Sequence, residues 1–411
     1  MKKNLLITIF TILFSIIFSI IFVSCDKSSI DDVNTITFWH FWSEPNQKVV
    51  LDSIISAFEK EYNCEVSTTE LSWNDGKTKL MAGFNSNTAP DVLELGSDWI
   101  AQFSSAGVLQ SLNKDTFDLK NFVDFSHSPG LWNNNLFAIP WVVDTRVLFV
   151  NNGILKKSGL NLNCPSSFNE ILNQAERINN NEGIYLFGVN SSDAHRLYKK
   201  VLTFFWTFGG DIFDANGNPT INSPENVAAL EFYLNLSRNG YLETQRQIDA
   251  AFAQGKIAYW ISGGWLLDKI KNENPNLDYS VCLIPSINGK QGISFAGGEY
   301  LAMNVKSKKQ KLAAEFIKFM TNGKNAIEFC KKVTEAGFPA DKRYFADKYY
   351  QAFPNRMIFA NQLNYAKMTP VHPKWLEVEE IIEFAVSKAL YGELDAKSVL
   401  DMAQEKVLSI K

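Results

Sequence analysis

The chain has 411 residues, 46% hydrophobic and 20% charged, with a 13% aromatic share that includes 31 Phe and 10 Trp. That places it among globular proteins with room for two ordinary domains and a sizeable core. The net charge of −4 leaves no Lys/Arg-rich stretch beyond "KSKKQK" at 306–311, which reads as the solvated start of a helix, so a nucleic acid or other polyanion partner is excluded.

In chain order, the first element is a leader. Lys2 and Lys3 precede an apolar stretch from Leu5 to Val23, then "VSC" at 23–25 and polar "DKSSIDDVN". A positive start, an apolar core and a small residue before the cut make an export signal. Its ending resembles a bacterial lipobox, in which Cys25 is acylated and becomes the mature N-terminus. Residues 1–24 are then a lipoprotein signal peptide and 25–32 a tether. The apolar stretch is also long enough to span a bilayer, which keeps an uncleaved anchor as the alternative. Either way the body is exported and held at a membrane, facing the periplasm or exterior.

"NTITFWHFW" reads as a strand, and "NQKVVLDSIISAFEKEY" as a helix from the spacing of Val49, Val50, Ile54, Ile55 and Phe58. "CEVSTTELS" is an alternating strand, "DGKTKLMAGFNSN" a second helix, and "APDVLELG" an apolar buried strand. This alternation predicts parallel pairing in an α/β sheet. After a short helix closed by Gly107, the chain runs extended through 137–151. A second α/β set begins at Ser166, with Ser167 and Glu170 forming the capping box of a helix. The strand "IYLFGVN" and the helices "AHRLYKKVLTFFWTFG" and "PENVAALEFYLNLSRNG" follow, the last opening on Pro224. "IAYWISG", "YSVCLIP" and "YLAMNV" are further extended segments, and the C-terminal third is mostly helical.

Several chemistries fail on spacing. "NDGKT" carries the Gly-Lys-Thr of a phosphate loop, but Leu71 stands where its earlier glycine belongs, and neither GxGxxG, GxSxG nor HExxH occurs. The four histidines, His40, His127, His195 and His372, are too scattered to bind a metal. Beyond Cys25, Cys64, Cys164, Cys282 and Cys330 form no CxxC pair and specify no connectivity; buried free thiols are the simpler expectation, although an exported compartment permits disulfides. No cofactor and no catalysis is called for.

Three long blocks, "APDVLELGSDWIAQFSSAGVLQSL" (89–112), "FAIPWVVDTRVLFVNNGILKKSGL" (137–160) and "AFAQGKIAYWISGGW" (251–265), carry a resemblance. With "PSSFNEIL", "GGEYLAMN" and "AAEFIKFMT" in order between and after them, the chain resembles the family 1 extracellular solute-binding proteins, the maltose-binding-like carbohydrate receptors of bacterial ABC importers. The resemblance implies two α/β lobes around a ligand cleft, with the chain crossing near Val143–Arg146, Ala296–Glu299 and Ala336–Pro339. Lobe one would comprise 33–143 and 298–337, and lobe two 144–297 and 338–411, closing on ligand about these hinges. It further implies a monomer that binds a sugar and meets permease subunits served by a separate ATPase.

Strand C-terminal ends face the crevice in such sheets, so "FWHFWSEPNQ" (38–47) would present Trp42, Ser43 and Glu44. Sugars offer apolar faces and a rim of hydroxyls, which aromatic platforms and planar polar groups hold. Trp39 falls on the face opposite Trp42 and is assigned to the core. Block matching adds Asp98 and Trp99, Trp141, Asp144 with Arg146, Trp265 as the main stacking ring, Glu299 and Trp375. Gly263 and Gly264 would let backbone approach ligand, His195 and Arg196 are lesser candidates, and Gly209–Asp211 would edge the cleft. Asp98 could instead cap a helix, and Asp144 could serve only its ion pair with Arg146. Leu95 stands where the maltodextrin subgroup has an aromatic, which argues against a long maltodextrin. An exported glycan hydrolase using Asp98 and Asp144, or a surface glycan sensor without a transport role, are the alternatives.

Overall fold

The computed structural model describes residues 34–73, 75–117, 119–178 and 183–410. The leader, Cys25 and the tether lie outside the described residues. The principal elements are β1 (Thr35–His40), α1 (Pro45–Tyr62), β2 (Glu65–Glu70), α2 (Gly76–Ser86), β3 (Val92–Gly96), α3 (Ile100–Ser105), β4 (Ala138–Thr145) and β5 (Val147–Asn151). There follow β6 (Tyr185–Asn190), α4 (Leu197–Phe208), α5 (Pro224–Ser237), β7 (Gly240–Glu243), α6 (Gln245–Ala253), β8 (Ile257–Ser262), α7 (Trp265–Glu273) and β9 (Tyr279–Cys282). The last third holds β10 (Ser294–Met303), α8 (Gln310–Thr321), α9 (Gly323–Lys332), β11 (Phe338–Pro339), α10 (Pro354–Gln362), β12 (Ala366–Lys367), α11 (Trp375–Leu390) and α12 (Ala396–Ser409).

Two sheets build two lobes. The first runs β11-β4-β10-β3-β1-β2, with β12 beside the start of β10, and the second runs β9-β5-β8-β6-β7. Pairing is parallel where strand and helix alternate, at β1 with β2 and β3 and at β6 with β7 and β8. The long strands that return between sheets, β4 and β10, pair antiparallel to each other through Ala296↔Thr145 and Gly298↔Val143. The sheets are therefore mixed, where alternation alone predicted parallel strands. The chain passes between them after Thr145, before Ser294 and beyond Pro339, where α10 packs on strands of the second sheet.

Local chemistry explains the elements. Ile36 and Phe38 of β1 bury toward α1 and α8, Phe38 lying edge-on to Phe316 at 5.2 Å. Trp39 leans the other way onto α2, where Gly83 leaves room for its ring. Ser167 caps its helix by accepting the Glu170 N–H, but the Glu170 carboxylate turns to the N–H and hydroxyl of Ser166, so only half of the expected box forms. The expectation of free thiols is corrected at one pair. Cys164 and Cys282 form a disulfide with their Cα atoms 5.6 Å apart, while Cys64 and Cys330 are free. Their separation of 118 residues hides this from sequence; only the fold brings the 158–166 loop beside β9.

Candidate functional site

The C-terminal ends of parallel strands from both sheets converge on one cavity of about 420 Å³. The ends of β1, β2 and β3 supply Phe41 to Glu44, Trp73, and Gly96 to Trp99; the ends of β6, β7 and β8 supply Ala194 to Arg196, Gln245 and Trp265. The crossing strands add Asp144, Arg146, Phe295 and Gly297 to Glu299. A parallel strand exposes its last carbonyls and the turn that follows, so such edges collect polar and irregular backbone where a ligand can meet it.

One wall is aromatic. Phe41 stacks on Trp73 with centroids 4.1 Å apart, and Trp99 meets Phe41 edge-on at 5.6 Å. Trp73 is 41% exposed, so this stack keeps one open ring face. On the opposite wall the Arg146 guanidinium lies 5.1 Å from the Trp265 ring centroid and 5.0 Å from that of Phe295. The Trp265 indole N–H donates to the buried Asp249 at 2.9 Å. A Cβ at Gly263 would stand 2.0 Å from the Trp265 ring, so this glycine admits the protein's own tryptophan, and ligand approach is not what requires it.

The polar groups sit between the walls. Arg146 donates to Asp144 at 2.7 Å. Asp98 accepts the Tyr198 hydroxyl at 3.2 Å, and since Trp99 rather than Asp98 occupies the N-cap of α3, without a side-chain cap, the capping alternative for Asp98 falls. Burial, reinforced by Glu94, Asp144 and Asp98, pushes the Glu299 carboxyl well above the usual range. Beneath it, buried Glu94 is pushed up to about 8 by desolvation, partly offset by the Phe41 N–H that it accepts at 2.9 Å. His195 bonds Glu379 through Nδ1, which raises the imidazole pKa, while burial lifts Glu379 to about 7. His195 also holds φ at +63°, so α4 begins at Leu197 and not at Ala194 as the sequence suggested.

Of the residues singled out from sequence, Trp42, Ser43, Glu44, Asp98, Trp99, Asp144, Arg146, Trp265 and Glu299 lie on this cavity, as do His195 and Arg196. Trp141, Trp375 and Gly264 do not. Trp141 is buried against Phe329, stacked at 4.8 Å, and Trp375 is buried edge-on to Tyr198 at 5.7 Å. Both rings point into a lobe, so each supports the wall from behind. Gly264 edges a much smaller hollow with Thr334 and Glu335, and the 209–211 turn is likewise off the cavity wall. Phe41, Trp73, Lys199, Gln245 and Glu335 were missed. Trp73 was within reach, because the strand-end rule applied to β1 applies equally to β2. Among the described residues no group of three or more His, Cys, Asp or Glu could hold a metal ion, and no helix is long and apolar enough to cross a membrane.

Residues 43–327 match the family described as bacterial extracellular solute-binding protein. The galactooligosaccharide-binding protein of Bacillus subtilis is 26% identical over 381 residues, covering 89% of this chain and 87% of that protein. Among solved structures, the GacH receptor of Streptomyces glaucescens, determined unliganded and with acarbose, superposes with a TM-score of 0.80 at 22% identity, covering 91% of this chain and 97% of that one. UgpB from Mycobacterium tuberculosis, in complex with glycerophosphocholine, gives a TM-score of 0.79 at 22% identity, covering 91% and 97%.

Proposed function

This chain belongs to the bacterial extracellular solute-binding protein family, and from that premise we propose that it is the lipid-anchored receptor of an ABC importer for a sugar or short oligosaccharide. Cys25 carries the lipid at the head of the 25–32 tether, and the two lobes, 33–143 with 298–337 and 144–297 with 338–411, close on ligand as a monomer. The closed form is what the permease subunits receive, and their separate ATPase supplies the energy.

The observation that carries this reading is the pairing of the open Phe41–Trp73 stack with Trp265 across a cavity edged by Asp98, Asp144, Arg146 and Glu299. A sugar ring fits between apolar faces while its hydroxyls reach planar acceptors and donors at the rim. Trp73 also restores, from the end of β2, a stacking surface that buried Leu95 does not offer. The hydrolase alternative gains nothing from the geometry. Asp144 is paired with Arg146, and Asp98 accepts the Tyr198 hydroxyl.

The test uses residues 26–411 titrated with maltotriose, galactobiose, diacetylchitobiose and glycerophosphocholine, following tryptophan fluorescence and thermal melting together. We expect a saturable response to one sugar, recovered intact. A response to glycerophosphocholine alone, or to none of the four, removes carbohydrate as the ligand class. Recovery of a cleaved sugar removes the receptor reading. For the anchor, the full chain grown with radiolabelled palmitate should take up label and Cys25→Ser should take up none; equal labelling of the two removes lipid at Cys25.

A further inference from the structure

Behind Trp265 lies a buried polar cluster of Asp249, Lys200, Trp260 and Ser262, none of which lines the cavity itself. Asp249, on α6, is nearly inaccessible and accepts three hydrogen bonds. Its Oδ1 takes the Trp260 indole N–H at 2.7 Å and the Ser262 hydroxyl at 2.8 Å, and its Oδ2 takes the Trp265 indole N–H at 2.9 Å. Lys200 of α4 is equally buried, its Nζ lies 4.8 Å from the centroid of the Trp260 ring, and it has no hydrogen-bond partner. A buried carboxylate is costly unless its lone pairs are filled. This one is filled by two strand-end residues of β8 and by the first residue of α7.

We propose that Asp249 is the positioning residue for Trp265, fixing the ring's rotation so that it presents a set face to the cavity. This rests on the reading of the cavity as a ligand site in which Trp265 stacks. A tryptophan at the start of a helix, with glycines at 263 and 264 before it, has a permissive backbone and two side-chain torsions to fix. Three contacts remove that freedom: Arg146 covers one ring face, Gly263 lies against the ring, and Asp249 Oδ2 holds the indole nitrogen. Of the three, only the last is directional enough to choose between the two flipped orientations of the indole. Burial pulls the Lys200 ammonium down to about 7 and raises the Asp249 carboxyl, and the two act on each other through charge, so the cluster is a lysine, an aspartate and two indoles packed as one unit.

The two oxygens have separate duties, and this makes the proposal testable. In Asp249→Asn the side-chain oxygen can keep the Trp260 and Ser262 bonds, but an amide NH2 then faces the Trp265 N–H, donor against donor. The measurement is 19F NMR of protein labelled with 5-fluorotryptophan, the Trp265 and Trp260 signals being assigned by their loss in Trp265→Phe and Trp260→Phe. We expect Asp249→Asn to shift or broaden the Trp265 signal while the Trp260 signal holds, and to weaken the sugar identified by titration roughly tenfold. In the Trp265→Phe background the same substitution should have no further effect on affinity. An unchanged Trp265 signal, or equal movement of both signals, overturns the proposal, since the second result describes general loosening of the cluster. If Asp249→Asn does not fold because Lys200 loses the nearby countercharge, Asp249→Asn with Lys200→Met removes both titratable groups and is read in the same way. A wild-type protein that binds no sugar removes the carbohydrate reading, yet the NMR comparison still decides whether Asp249 holds the ring.

Discussion

Trp73 and Trp141 place the same side chain in opposite situations. Trp73 packs on Phe41 and against Trp99 and is 41% exposed; Trp141 of β4 is fully buried against Phe329 of α9. Trp73→Ala should therefore weaken ligand binding about tenfold with little change in the urea midpoint. Trp141→Ala should cost about 3–5 kcal/mol in unfolding free energy. A Trp73→Ala protein that binds like the wild type would remove the open stack from the site. Glu94 makes a second contrast. Burial raises its carboxyl from 4.5 to about 8, so between those values the folded protein holds a proton that the unfolded chain has released. Its contribution is full below about pH 4.5 and is lost as pH rises through about 8. Glu94→Gln, a permanent mimic of the neutral acid, should flatten that decline, checked by urea unfolding at pH 5 and pH 8. Identical slopes for both proteins would show that Glu94 ionises normally.

At the scale of elements, strand ends do most of the positioning. The turns that follow β1, β2, β3, β6, β7 and β8 each bring at least one residue to the cavity, because parallel strands of both sheets direct their C-terminal edges toward the same space. The second lobe carries an added constraint in Cys164–Cys282, which ties the 158–166 loop to β9 across 118 residues. Closing so long a loop in the unfolded chain removes conformational entropy, and reduction should cost about 2–5 kcal/mol. Urea curves with and without a phosphine reductant measure this, and thiol titration of denatured, unreduced residues 26–411 should count Cys64 and Cys330 alone. Titration of all four thiols would show that the bond does not form.

For the whole molecule, motion between lobes has to pass through the three crossings, and Gly337 sits where two of them touch. Its φ is +73°, and a Cβ there would stand 2.5 Å from the Val143 carbonyl oxygen and 3.1 Å from Asp144 Cβ. Gly337→Ala therefore combines a disfavoured backbone with a wedge between crossings, and should cost more than about 1 kcal/mol. It should also weaken the ligand by shifting the balance between open and closed forms. Solution scattering should show the wild type contracting on ligand, and the variant contracting less. Ligand at a hundredfold above its Kd should itself stabilise the wild type by about 2.7 kcal/mol. Equal contraction and equal affinity in both proteins would place the hinge elsewhere.

The sequence by itself determined the alternation of strands and helices, which follows from periods of 2 and 3.6 residues. It also determined the residues at the end of the first strand, which follow from a rule about strand edges; both are local. Trp42, Ser43 and Glu44 were legible for that reason. Asp98, Arg146 and Trp265 were legible only through the resemblance of their blocks to those of a family, as were the crossings. Tertiary structure decided which rings face the cavity. Trp141 and Trp375 lie in blocks as suggestive as that of Trp265, but packing against Phe329 and Tyr198 turns them inward. It also decided the Cys164–Cys282 pair, the mixed direction of the sheets, and the cluster of Asp249, Lys200 and Trp265. Each of these joins residues far apart in the chain or separated by a turn whose path is fixed only by packing. Local pattern can nominate a side chain, and only the neighbours brought up by folding fix where it points.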